Sequence, residues 1–235
     1  MLFNILGGGR EGLITALLCL PVILFSLSFH EAAHGYVAYK LGDPTARNLG
    51  RLTLNPMKHL DPFGALAMLL IGFGWAKPVP IVARNFKNPR WGMGISAIAG
   101  PVSNLILGIV GCVFFSAASA AWSLDIYMAQ ILGQGTPIIK WCLLNLAYIF
   151  TYMNFALMAF NLIPIPPFDG SRFAYLLLPS KWYFKVMKHE QTLMIVIIVL
   201  FLALSRAGYS PVGFVAGGLM DLICNPLTEL FMKLF

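Results

Sequence analysis

Four apolar runs dictate what this chain can become. Residues 12–29, 95–122, 138–163 and 191–204 are nearly free of charge. A helix needs roughly 20 apolar residues to cross a bilayer. The second and third runs meet that length outright. The first meets it if its helix continues to Leu41, and the fourth is somewhat short. Composition points the same way: 59% of the 235 residues are hydrophobic and 11% are charged, against about 25% charged in an ordinary soluble domain. The expectation is an all-α polytopic membrane protein with about five to six transmembrane helices, built as one domain over residues 1–235.

The net charge of +7 does not read as a nucleic-acid surface. No basic, aromatic-interleaved stretch lies outside the hydrophobic frame. The cations sit beside membrane segments, where they meet anionic lipid and set orientation. Lys40 through Arg90 contains eight Lys and Arg residues and the loop 164–190 contains four, whereas residues 123–137 have none. The positive-inside rule puts the first two regions in the cytoplasm, with the plasma membrane as the expected location. The N-terminal run resembles a signal peptide only superficially. It leads straight into His30, Glu31 and His34 without a small-residue cleavage site, so it is expected to stay.

Local signals mark the elements. The first helix runs from about Leu13 to Leu41, and Gly42-Asp43-Pro44 ends it, glycine as cap and proline as stop. Residues 51–55 alternate like a strand. The apolar stretch Phe63–Ala76 is short, glycine-bearing and flanked by basic residues on both sides, which predicts a re-entrant or shallow hairpin. Pro78 and Pro80 make residues 78–82 extended. In the helix at about 93–122, Ser96, Gly100, Asn104, Gly108 and Cys112 recur every four residues. That stripe of small and polar side chains permits close helix approach in lipid. A helix at 138–163 ends at Pro164. Lys181, Lys185 and Lys188 mark one amphipathic turn in the loop that follows. A helix at about 191–206 and a segment at 211–235 complete the chain. Cys19, Cys112, Cys142 and Cys224 lack CxxC spacing and read as small buried hydrophobes, with no disulfide framework.

The chemistry concentrates in Ser28-Phe-His-Glu-Ala-Ala-His-Gly35. Histidines at i and i+4 project from one helical face, one turn apart. Two imidazoles so placed can bind one zinc ion, and Glu31 between them can act as general base. A glutamate inside an apolar helix costs roughly 2.5–3.5 kcal/mol on insertion scales and marks a functional site by default. Two histidines leave the site short of a ligand. His59, His189, Asp43, Asp61, Asp125, Asp169, Glu190 and Asp221 are the remaining candidates. Asp169 has the most informative surroundings, Asn161-Leu-Ile-Pro-Ile-Pro-Pro-Phe-Asp-Gly170. Its prolines predict a stiff, non-helical hook, and Asp169-Gly170 a sharp turn.

HExxH followed far downstream by NxxPxPxxDG resembles the site-2 protease family of intramembrane zinc metalloproteases. Asn55-Pro-Met-Lys-His-Leu-Asp-Pro-Phe-Gly64, Gly74-Trp-Ala-Lys-Pro-Val-Pro80 and Ala99-Gly-Pro-Val-Ser-Asn104 extend the likeness over about residues 26–172. The resemblance implies His30, His34 and Asp169 as ligands of one zinc ion and Glu31 as general base. It implies a catalytic core at about 13–172, followed by C-terminal helices at about 173–235. Phe168 departs from the leucine usual before the DG pair and is expected to bulk the pocket. No inserted PDZ domain is evident, so the likeness is to a minimal member.

Buried amides can hold a substrate backbone or stabilise an oxyanion. Asn104 and Asn161 are candidates for that role, with interhelical hydrogen bonding as the alternative. Asn154 leans to the structural role. His59 is either a further site residue or a loop cap. The expected reaction is hydrolysis of a peptide bond within or near a transmembrane segment of another protein. Residues 51–55 and 79–82 would offer an edge to the unwound substrate. A catalytically silent zinc-binding scaffold and a metal transporter are the rivals. Glu31 speaks against the first, because the ligands do not need it. The clustering of ionisable groups at one place speaks against the second.

Overall fold

The structure is a computed structural model, and it describes residues 9–64, 75–131, 137–177 and 188–234. Among these residues the elements are helical, without a β-strand. They are α1 (Gly9–Lys40), α2 (Thr45–Asn48), α3 (Pro56–His59), a 3-10 turn (Ala83–Asn85), α4 (Pro89–Ile131), α5 (Ile138–Asn161), α6 (Asp169–Ala174), α7 (Glu190–Arg206) and α8 (Pro211–Met232). Four stretches are long and apolar enough to cross a membrane: Gly12–Lys40, Pro89–Ser123, Ile138–Asn161 and Pro211–Met232. The expected count of five to six thus stands at four among the described residues. Helix α7 has 17 residues, short as its apolar run forecast. The C-terminal segment instead supplies a full-length helix.

Helix α1 ends where the glycine signal placed its stop. Gly42 takes φ +110°. Its N–H donates to the Tyr39 carbonyl at 3.1 Å, and Asp43 N–H donates to the Ala38 carbonyl at 2.9 Å. This is a Schellman closure, which needs a residue free to adopt positive φ.

The small-residue stripe on α4 is the seam of the bundle. Ser96, Gly100, Asn104, Gly108 and Cys112 are all buried. A Cβ on Gly108 would lie 2.4 Å from the Phe155 ring, and one on Gly111 would lie 2.5 Å from Thr151 Oγ1. Glycine there lets α5 pack directly on the α4 backbone. Phe155, Ala216, Met220, Cys112 and Cys224 form the core where α4, α5 and α8 meet. The outward faces stay apolar: Leu17, Ile106, Phe114, Val199, Phe214 and Leu222 are exposed. An apolar exterior of this extent suits lipid contact.

Three local expectations are corrected. Cys112 and Cys224 are buried as expected, but they are also joined in a disulfide between α4 and α8, with Cα atoms 5.1 Å apart. The pair is 112 residues apart, a separation that carries no spacing signal. Residues 51–55 form bends instead of a strand. Their polar groups serve local ends: Asn55 Oδ1 accepts from Met57 N–H and caps α3, and the Thr53 carbonyl accepts from His59 Nε2. Asp169-Gly170 opens helix α6 instead of forming a sharp turn. Gly170 is needed there for space, since a Cβ would meet the Leu162 carbonyl oxygen at 2.3 Å.

The re-entrant course expected for Phe63–Ala76 falls largely on residues 65–74, outside the described residues. Its two ends are described. Leu60 and Ala76 form an antiparallel bridge, and Lys77 N–H donates to the His59 carbonyl at 2.8 Å. The chain therefore leaves and returns at one place. The amphipathic turn expected around Lys181 and Lys185 also lies outside the described residues.

Candidate metal centre

His30 and His34 lie in the last three turns of α1 and face the small-residue stripe of α4. Both are buried, and their rings meet edge to face with centroids 4.6 Å apart. The Nε2 atoms are 3.0 Å apart. Asp169 Oδ2 lies 3.0 Å from His30 Nε2 and 3.1 Å from His34 Nε2. Of the eight candidates for the third position, only Asp169 joins the histidines among the described residues. The hook that carries it is fastened at its far end: Arg90 at the start of α4 donates to the Tyr175 and Leu176 carbonyls at 2.9 Å.

The other candidates sit elsewhere. Asp43 accepts from Thr45, Val82 N–H and Asn85 Nδ2, fastening the segment after Pro80 to the end of α1. Burial alone would raise its carboxyl, but these hydrogen bonds outweigh that and hold it below the ordinary value. Asp61 accepts from Gly64 N–H, Asp125 pairs with Lys140 and Asp221 accepts from Asn225. His189 is exposed ahead of α7. His59 is buried in α3, with Nε2 donating to the Thr53 carbonyl at 2.8 Å.

The three convergent atoms fit a divalent ion. His34 Nδ1 lies 2.7 Å from the Ser96 carbonyl, which can only accept. The proton is therefore on Nδ1, and in the neutral ring Nε2 presents a lone pair. His30 Nδ1 likewise faces an amide oxygen, Asn104 Oδ1, at 2.5 Å. Two lone pairs and a carboxylate oxygen thus meet within about 3 Å of one another. A proton can serve one of these contacts at a time, whereas a cation serves all three. Their separations come near the roughly 3.3 Å edge of a tetrahedron with zinc-like bonds. Gly100 leaves the room: a Cβ there would lie 2.4 Å from His34 Nε2 and 2.6 Å from His30 Nε2. Asp169 offers the third donor atom of the set, a carboxylate oxygen.

Glu31 is half-buried, and its Oε2 accepts from Val79 N–H at 2.7 Å. Asn104 is fully buried on the Nδ1 side of His30, with Nδ2 donating to Asn154 Oδ1 at 2.9 Å. Asn161, at the end of α5, spends its Nδ2 on the Leu157 carbonyl at 2.9 Å. Phe168 packs edge to face on Phe160 at 4.4 Å between centroids. Ser96 and Gly100, expected from their spacing to serve packing, also line the site. Their four-residue spacing was the signal, since it carries one α4 face from His34 past His30.

The sequence model of peptidase family M50 matches residues 18–205. The chain is a member of peptidase family M50, the site-2 protease family. This M50 protein is 44% identical over 179 residues to "Putative zinc metalloprotease YwhC" of Bacillus subtilis (strain 168), covering 76% of this chain and 77% of that one. It is 26% identical over 152 residues to "Putative zinc metalloprotease Rip2" of Mycolicibacterium smegmatis, covering 63% of this chain and 52% of that one. The Rip2 of Mycobacterium tuberculosis is 24% identical over 191 residues, covering 79% and 67%. No solved structure matches. Membership makes the M50 chain a membrane metalloprotease, the relatives' names imply zinc, and His30, His34 and Asp169 are a possible site for the ion.

Proposed function

We propose that this chain is an intramembrane zinc protease that hydrolyses a peptide bond within or near a transmembrane segment of a membrane-protein substrate. The convergence of His30 Nε2, His34 Nε2 and Asp169 Oδ2 beside Glu31, within an apolar helix of spanning length, carries this reading. His30, His34 and Asp169 hold the ion. Zinc bound there supplies Lewis acidity, which brings water within reach of deprotonation near neutral pH. Glu31 takes the proton from the attacking water and later returns it to the leaving amine. The residues work as one domain, with the core at about 13–172 supplying the chemistry.

A transmembrane substrate helix has its backbone groups paired, so it must unwind locally before attack. Residues 79–82 are the better edge for the unwound strand, because they run beside Glu31 and are fixed at both ends. Asn161 stands at the mouth of the hook and keeps its proposed role toward substrate. The basic flanks support a plasma-membrane protein with His34 toward the cytoplasm. Substrate and lipid are the partners, and nucleic acid is not one.

The test uses purified protein in detergent with a transmembrane substrate. Cleavage that stops with a chelator, returns with zinc and falls by about 10²–10⁴-fold in Glu31→Gln is the expected result. Undiminished cleavage by Glu31→Gln would sink the mechanism.

A further inference from the structure

A chain of buried polar groups runs away from the metal centre across three helices. Asn154 Nδ2 lies 2.8 Å from the Phe150 carbonyl and 3.0 Å from Ser26 Oγ. A carbonyl only accepts, so the group facing it is the amide NH2. That turns Asn154 Oδ1 toward Asn104 Nδ2, at 2.9 Å. Asn104 Oδ1 is thereby turned to His30 Nδ1, at 2.5 Å. An amide oxygen only accepts, so His30 must carry a proton on Nδ1, and the neutral ring then leaves Nε2 free. Each link has one possible polarity, and the Phe150 carbonyl sets it. Ser26, Asn104 and Asn154 are all fully buried, so water cannot substitute for any member.

We propose that Asn104 and Asn154, anchored by Ser26 on α1, are positioning residues that fix the tautomer and ring plane of His30 for metal binding. The inference rests on the proposed zinc site. His34 needs no such device, because a backbone carbonyl holds its Nδ1. His30 meets α4 eight residues further along, at Asn104, and a side-chain acceptor takes the role there. Partners on the second nitrogen of a ligand histidine typically govern metal affinity by about 10–100-fold. Asn154 touches neither histidine, so its effect on the metal passes through the Asn104 amide and through Ser26, one turn before His30 on α1. A helix-packing role alone would leave the ion indifferent to both residues.

The experiment measures zinc affinity of the full chain in detergent by competition with a chromophoric chelator. Visible spectra of the cobalt(II)-loaded protein report the ligand field. Asn104→Leu is expected to weaken zinc by about 10–100-fold. Asn104→Asp keeps an acceptor on His30 Nδ1 but sets its second oxygen against Asn154 Oδ1, so it is expected to bind zinc more tightly than Asn104→Leu and less tightly than wild type. Asn154→Leu frees the Asn104 amide to turn and is expected to weaken zinc and alter the cobalt spectrum. Thr151→Val, a buried change on α5 whose side chain bonds the Ala147 carbonyl and no relay side chain, is expected to do neither. Wild-type affinity and spectrum in Asn154→Leu would overturn the inference, as would equal loss in Asn104→Asp and Asn104→Leu. Should Asn104→Leu not fold, Asn154→Leu against Thr151→Val decides the matter. A wild-type protein that binds no zinc would overturn the metal-site reading itself, a separate outcome.

Discussion

Glu31 Oε2 accepts a hydrogen bond from Val79 N–H at 2.7 Å, joining the proposed base to a segment 48 residues further along the chain. The contact holds the carboxylate beside the extended 79–82 stretch. A substrate strand pairing with Val79 must share or take that N–H. Glu31→Gln keeps an oxygen for Val79 but cannot carry the proton. Its turnover is expected to fall by about 10²–10⁴-fold, with the melting temperature unchanged. Glu31→Leu orphans the Val79 N–H, at a cost of about 1–3 kcal/mol, so its melting temperature is expected to fall as well. Cleavage assays paired with thermal melts separate the two.

Gly100 predicts a metal-specific lesion. A methyl group there would project to within 2.4 Å of His34 Nε2. Gly100→Ala is expected to reduce bound zinc from about one ion per chain to a small fraction, because the methyl displaces a ligand. Alanine is the better helix former by about 1 kcal/mol, so α4 itself gains from the change. Gly108→Ala is the matched control. It strikes the Phe155 ring and should lower the melting temperature while zinc content holds. Metal analysis of both purified variants checks this.

Asp43 gives stability a pH dependence with a definite sign. Its carboxyl is lowered in the folded protein despite burial. The contribution is therefore present above the unfolded value of 3.8 and lost as pH falls through the lower folded value. Asp43→Ala is expected to be less stable than wild type at neutral pH, with the gap narrowing in acid. Thermal melts between neutral pH and the acid limb test it. A gap that widened in acid would assign the wrong state to the carboxyl.

The cysteines make a simple labelling prediction. Cys19 and Cys142 are free, whereas Cys112 and Cys224 are paired. Alkylation of the unfolded, unreduced protein is expected to modify Cys19 and Cys142 alone. Prior reduction should expose all four. Peptide mass mapping distinguishes these states, and four labelled cysteines without reduction would contradict the pairing.

Much of this fold was legible because local spacing determines it. His30 and His34 are one turn apart on any helix, and Gly42 could end α1 wherever the rest went. Asp169 stood out by the prolines around it, but its arrival at the histidines depends on Arg90 clamping the far end of the hook. No local pattern encodes that clamp. The α4 stripe was legible as a packing face. Its chemical use was not, since only the facing helix decides that Gly100 meets two imidazoles and Asn104 meets a third nitrogen. The strand-like alternation of residues 51–55 misled because Thr53 and Asn55 are bound to neighbouring turns instead of another strand. The Cys112–Cys224 pair was invisible for the same reason that long-range pairing generally is: nothing near either residue names the other.

Two ligands come from one helical turn, and the third lies 135 residues beyond His34. Synthesis therefore delivers the imidazoles and Glu31 long before it delivers Asp169. A growing chain shorter than that lacks the carboxylate and the hook that presents it. The order of residues thus acts as a timer: hydrolytic competence must wait until α5 and the hook have been made and the helices have gathered.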